Sequence, residues 1–112
     1  LATYDQLWSR LEKNIQELGD YAAKLEIKLV VEALTPYESN FFTRANDLVE
    51  LFRRVDNPYV VGMCDIVPPF VQHESIMAYF DKLGNKMDHM HIIDGEKWIR
   101  HPSDTRRGKY SN

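Results

Sequence analysis

The sequence lacks the features that mark several common classes of protein. Its 112 residues include one cysteine, Cys64, which excludes an internal disulfide and makes the reducing cytoplasm the expected location. No apolar run approaches the ~18 residues of a membrane span, so we expect no membrane association. The formal net charge is -3, with acidic and basic residues interspersed, so nucleic acid is not an expected partner.

What the chain does contain is enough apolar surface for a core. Hydrophobic residues make up 44% and aromatic residues 12% of the sequence, which is typical of a globular chain. A chain of 112 residues has room for one domain or part of one. We therefore treat residues 1–112 as a single domain.

Helical and strand patterns alternate along the chain. Apolar residues recur at three- and four-residue intervals in three segments, which begin near Tyr4, Ala45 and Ile76. Three short apolar segments follow them in turn and are predicted strands, near 27–33, 59–65 and 87–93. The proline pair at 68 and 69 is expected to break the chain. This order predicts an α/β fold with a parallel sheet built from βα units.

Each predicted strand has a polar residue near its carboxyl end. Glu32, Asp65 and His91 hold these positions, and each interval between them is roughly thirty residues, the length of one βα unit. Equivalent positions on successive parallel strands meet at one edge of the sheet, where active sites are built. Two carboxylates and an imidazole suit a divalent ion such as Mn²⁺, Co²⁺, Ni²⁺, Zn²⁺ or Mg²⁺. The spacing therefore predicts three metal ligands.

Each of these residues also has a simpler interpretation. An acidic residue after a strand can cap the next helix or face water, and a strand histidine can be a hydrogen-bonded core residue. His89 lies two residues before His91, on the same face of the predicted strand, and is an alternative ligand. Under the simpler interpretation, the chain is a non-catalytic binding or structural module.

The sequences around these residues resemble a known family. The likeness is carried by Glu32 to Asn40, by Val71-Gln72, and by the segments Tyr79 to Gly84 and His89 to Asp94. They are similar to the ketose 3-epimerases, a group of xylose-isomerase-like TIM barrels, and in particular to its fructoselysine-type members. The general fold does not require the segment Tyr79 to Gly84, so this resemblance is specific.

The resemblance implies a (β/α)8 TIM barrel, of which this chain supplies about three βα units from the central to C-terminal part. It also implies an epimerase that acts at C3 of a ketose or ketosamine through a metal-stabilised enediolate. Glu32, Asp65 and His91 match the first three ligands of the family's divalent metal. Glu32 also matches one of the two catalytic proton carriers, and Glu38 matches a substrate-binding position. The second carrier, a glutamate that is also the fourth ligand, is expected beyond Asn112.

The sequence departs from the family pattern in two places. Pro68 stands where several ketose epimerases have a histidine, which argues against free ketohexoses as substrates. After Asp94 the loop differs, and Arg106 stands where a histidine is expected, which makes Arg106 a candidate substrate-binding residue. A sugar isomerase of the same barrel family would share the metal ligands and stays an alternative. A barrel endonuclease is disfavoured by the acidic balance.

Chain length and the relatives each add an expectation. A complete barrel needs eight strands and about 250 residues, so we expect a partial barrel without epimerase activity of its own. The relatives assemble as dimers or tetramers, so the intact protein is expected to form homo-oligomers and to bind a small-molecule sugar.

Overall fold

The structure, a computed structural model, describes residues 1–93 and shows helices and strands in alternation. Within these residues the helices are α1 (Tyr4–Lys24), α2 (Ala45–Arg54), α3 (Val67–Val71) and α4 (Ile76–Leu83), and the strands are β1 (Leu29–Glu32), β2 (Val60–Asp65) and β3 (Met87–His91). The predicted alternation is confirmed. Each strand is shorter than its predicted range, because the outer residues of that range belong to the flanking connections.

The strands form a parallel sheet in the order β1-β2-β3. Asp65, at the end of β2, lies opposite His91 at the end of β3. Glu32, at the end of β1, lies opposite Met63. A register shift follows Gly62 in β2. Because neighbouring strands are parallel, helices connect them, and the carboxyl ends of all three strands meet at one edge.

The proline pair after β2 starts a short helix where a break was expected. Pro68 and Pro69 stand in the first turn of α3, where a helix has no internal partner for the missing N–H groups. The fixed backbone angle of proline also suits this position. Among the described residues, no helix combines the length and the apolar character needed to cross a membrane.

Helix α1 packs against the β1–α2 loop, which comprises residues 33–44. The helix begins with the predicted capping box, in which Thr3 and Gln6 exchange backbone-to-side-chain hydrogen bonds. Trp8 is 2% exposed and lies edge-on to the ring of Phe41, with 5.3 Å between centroids. The ring of Phe42 is 5.9 Å away. These aromatic contacts hold the loop against the helix.

Gly19 allows α1 to approach β2 closely. A Cβ at this position would lie 2.6 Å from Cγ2 of Val60 and 3.0 Å from Nδ2 of Asn57. We expect Gly19→Ala to lower the free energy of unfolding by about 1 kcal/mol or more, because the clash outweighs the helix propensity that alanine adds. Urea unfolding measures this, with Ser9→Ala on the exposed face of α1 as control. An unchanged midpoint for Gly19→Ala would contradict the close approach.

The helices cover one face of the sheet, and two clusters of apolar side chains lie between them. The buried members are Ala33, Ala45, Leu48, Cys64, Tyr79 and Leu83 in one cluster and Trp8, Leu51, Val55 and Val60 in the other. Removing each large side chain from water contributes about 1.5–3 kcal/mol, so this layer stabilises the positions of the strand ends.

The opposite face of the sheet is more polar. Val30 is 39% exposed, so the apolar sequence of β1 does not make it a fully buried strand in the part of the chain that the structure describes. Lys28 and Asp88 form an ion pair on the sheet, with 3.1 Å between Nζ and Oδ2. Side chains alternate along a strand, so Glu32 shares the face of Val30. In the expected barrel this face is the interior.

Candidate metal centre

The three predicted ligands converge at the carboxyl edge of the sheet. Glu32, Asp65 and His91 each offer one ligand atom, and these atoms lie within 4.8 Å of one another. Nδ1 of His91 is 3.6 Å from Oε1 of Glu32 and 3.8 Å from Oδ2 of Asp65. The parallel sheet brings these side chains together, because each of the three is the last residue of its strand.

These separations suit a single ion. Two atoms that each lie about 2.1 Å from a common ion are about 3.0–3.4 Å apart in octahedral or tetrahedral geometry. The two separations from Nδ1 of His91 are slightly longer, and the half-exposed ring of His91 can close this difference by a small rotation. Two carboxylate oxygens and one imidazole nitrogen are donors that Mn²⁺, Co²⁺, Ni²⁺ and Zn²⁺ accept. The residues therefore fit a divalent ion.

The surroundings of Glu32 disfavour the ionised form of its carboxyl group. Burial, followed by the adjacent Asp65 carboxyl, raises the pKa of Glu32, and the neighbouring His91 opposes this rise. Two carboxylates close together in a partly buried site repel each other. A divalent cation bound between them would offset both the burial and the repulsion.

Glu32→Gln is expected to raise the melting temperature of the protein at about pH 7 in the presence of a chelator. A carboxyl whose pKa is raised by folding stabilises the folded state while protonated, and this contribution is lost as the pH rises through the folded-state pKa. At neutral pH the ionised carboxylate therefore costs stability, and the amide removes that cost. Melting curves from about pH 4 to about pH 8 should show the difference shrinking on acidification. A variant that melts below wild type at neutral pH would contradict this account.

The two carboxylate oxygens of Asp65 make different contacts. Oδ1 accepts a hydrogen bond from the N–H of Val67 at 3.0 Å, in the first turn of α3, whereas Oδ2 faces His91. The N–H of Ile66 donates to the carbonyl of His91 at 3.2 Å and ties the two strand ends together. The bond to the start of α3 and the predicted role as a ligand are therefore compatible, because they use different oxygens of Asp65.

His89 is not a member of this group. Its ring centroid is 5.2 Å from that of His91, and the two rings are nearly perpendicular. Among the described residues, His91 is the histidine that joins Glu32 and Asp65. The structure therefore favours His91 over His89, and His89 packs beside the candidate ligand.

Glu38 lies in the β1–α2 loop, outside the group of three. The hydroxyl of Thr35, a buried residue, donates to Oε1 of Glu38 at 3.0 Å, and the Thr35 carbonyl accepts from the Glu38 N–H. The Thr-x-x-Glu spacing from Thr35 to Glu38 is that of a capping box, but the bonds differ, because here the threonine hydroxyl donates to the carboxylate. Arg106, the other predicted substrate-binding residue, lies outside the described residues.

Comparison with known proteins gives a match over most of the chain. Residues 2–108 match the family model described as xylose isomerase-like TIM barrel. The chain is 46% identical over 90 residues to fructoselysine 3-epimerase of Escherichia coli O157:H7, which covers 80% of this chain and 33% of that protein. Fructoselysine 3-epimerase of Shigella flexneri matches with the same identity and coverage. The chain spans about a third of the length of these curated relatives.

Solved structures show the same architecture at lower sequence identity. D-Psicose 3-epimerase from Clostridium cellulolyticum H10, solved with D-tagatose, superimposes with a TM-score of 0.76 at 20% identity, over 84% of this chain and 32% of that one. A 3-keto-D-glucoside 4-epimerase from E. coli gives a TM-score of 0.76 at 16% identity, over 83% of this chain and 35% of that one. At these identities the likeness concerns the fold alone. The predicted TIM-barrel fold is confirmed, and the chain belongs to the xylose isomerase-like TIM barrel family.

Proposed function

We propose that the full-length protein carrying this chain is a metal-dependent sugar epimerase that acts at C3 of a ketose or ketosamine. One observation carries the proposal: Glu32, Asp65 and His91 bring two carboxylates and an imidazole within 4.8 Å of one another at the carboxyl edge of the sheet. The 46% identity to a fructoselysine 3-epimerase makes fructoselysine the substrate to test first.

Epimerisation at C3 needs a proton removed from one face of the sugar and returned to the other. A divalent ion, when bound, would supply a Lewis acid for the substrate's carbonyl oxygen. We assign proton removal from C3 to Glu32, with an enediolate of the sugar as the product of that step. The raised pKa of Glu32 suits a general base, because a base works best when its pKa approaches the operating pH. Asp65 suits the task less well, since its Oδ1 accepts a hydrogen bond from Val67.

The remaining assignments are proposals of the same kind. The proton returned to the opposite face would come from a second glutamate, expected one βα unit after His91. Glu38, held by Thr35, would accept hydrogen bonds from substrate hydroxyls, and Arg106 would contact the distal part of the sugar. Cytoplasmic location and homo-oligomer formation stay predictions.

The test is incubation of the full-length protein with fructoselysine and Mn²⁺ or Co²⁺ in deuterated water, followed by NMR spectroscopy of the product. The proposal predicts inversion at C3, with deuterium from the solvent at that carbon, and no reaction after chelation. A product with its carbonyl moved would identify a sugar isomerase instead. No exchange at C3 with any divalent metal would contradict the proposal.

A further inference from the structure

The β1–α2 loop is tied to the connection between α3 and α4. Nε2 of Gln72 donates to the carbonyl of Thr43 at 2.7 Å and to the carbonyl of Pro68 at 3.2 Å. Oε1 of Glu74 accepts from the N–H of Ala45 at 3.3 Å. Two side chains of the α3–α4 connection therefore hold the end of the β1–α2 loop. We call these two residues, Gln72 and Glu74, the loop clamp.

Both connections contain a residue other than glycine with left-handed backbone. The φ angle is 67° at Phe42 and 55° at His73. Such a conformation is unfavourable for residues with a Cβ and persists where surrounding contacts impose it. His73 lies between the two clamp residues, and the left-handed turn at this position accompanies the contacts of both neighbours with the loop. Phe42 lies next to the carbonyl that Gln72 binds, and its ring packs against Trp8.

The clamp connects two parts of the candidate site. On one side it follows α3, whose first residue, Val67, donates its N–H to Oδ1 of Asp65. On the other side it holds the loop in which Thr35 fixes the carboxylate of Glu38. The loop is closed by a hydrogen bond of 3.1 Å from the N–H of Leu34 to the carbonyl of Phe42. Hydrogen bonds, joined by short stretches of backbone, thus connect a candidate metal ligand with the candidate substrate-binding carboxylate.

We infer that Gln72 and Glu74 are positioning residues for the sugar, acting through the β1–α2 loop and Glu38. The inference rests on the proposed epimerase function and deepens it. Neither residue belongs to the group of three candidate ligands, so we expect their replacement to leave the affinity for a divalent ion unchanged. Loss of one hydrogen bond of the clamp lowers the equilibrium constant between the clamped and the released loop about fivefold.

The experiment uses Gln72→Met in the full-length protein, because methionine keeps the length of the side chain and removes its donor. We expect amide exchange in peptides from the β1–α2 loop to become about fivefold faster and KM for fructoselysine to rise by up to about fivefold as fewer molecules have the loop in place, with Mn²⁺ affinity unchanged. Glu74→Met should have the same effects, whereas Glu74→Gln keeps an acceptor oxygen and should retain wild-type values. Gln16→Met, on the exposed face of α1, is the matched control.

The outcomes separate the clamp from the proposed function. Faster loop exchange with an unchanged KM would reduce the clamp to a structural role and overturn the inference. Unchanged loop exchange in Gln72→Met would overturn it as well, and this arm needs no enzymatic activity. A wild-type protein that leaves fructoselysine unchanged would instead refute the proposed function, while the exchange data would still decide whether Gln72 holds the loop.

Discussion

Replacing Glu32 by glutamine in the full-length protein is expected to reduce C3 epimerisation by a factor of about 10⁴. A general base contributes typically 10²–10⁴-fold, and here the same side chain is also assigned to the metal, so both contributions are lost together. Glutamine keeps the shape of the side chain, and the raised pKa of Glu32 indicates that the neutral form is compatible with the fold. Rates measured with fructoselysine at saturating metal report the loss.

Two controls make this result specific. Glu17→Gln makes the same chemical change on an exposed face of α1 and should leave the rate unchanged. Deuterium exchange at C3 measures the proton removal itself. The exchange should therefore disappear in Glu32→Gln even where slow product release masks the chemical step. Retention of more than about a tenth of the wild-type exchange rate would show that Glu32 is not the base.

Asp65→Asn is expected to weaken binding of Mn²⁺ or Co²⁺ by about 100-fold or more. The substitution removes one negative charge from the site, and changes even to groups that only support metal ligands cost about 10- to 100-fold in affinity. The amide keeps an oxygen that can accept the hydrogen bond from Val67, so the start of α3 should survive. Titration calorimetry measures the affinity, and circular dichroism shows whether the fold is retained.

The matched control for this experiment is Asp88→Asn. Asp88 lies on β3, as His91 does, but its carboxylate pairs with Lys28 and is not in the candidate group. Its replacement should therefore change stability slightly and leave the metal affinity unchanged. Equal affinities for wild type and Asp65→Asn would remove Asp65 from the site.

Much of this fold could be predicted from the sequence because local pattern and tertiary structure agree. The capping box at Thr3 and the apolar stripe that follows it predict α1, and the helix begins there. Glu32 and Asp65 could be predicted as neighbours because parallel strands bring equivalent positions to one edge. The regular spacing, rather than any single residue, carried that prediction.

Other features depend on contacts that no local pattern contains. Gly19 weakens the helical pattern of α1, and only the packing of Val60 explains why a glycine stands there. The exposure of Val30 depends on what covers the inner face of the sheet. The bond between Gln72 and Thr43 joins residues 29 positions apart, so neither periodicity nor spacing could indicate it. Thr35, by contrast, lies three residues before Glu38, and this short spacing could have indicated a hydrogen bond between the two side chains.

The most direct test of the central claim is anomalous diffraction from crystals of the full-length protein grown with Mn²⁺ or Co²⁺. We predict one strong peak at the carboxyl edge of the sheet, about 2.0–2.3 Å from Nδ1 of His91 and from one carboxylate oxygen each of Glu32 and Asp65. A peak bound through His89 instead, or no peak within reach of these three residues at saturating metal, would contradict the assignment of the metal centre.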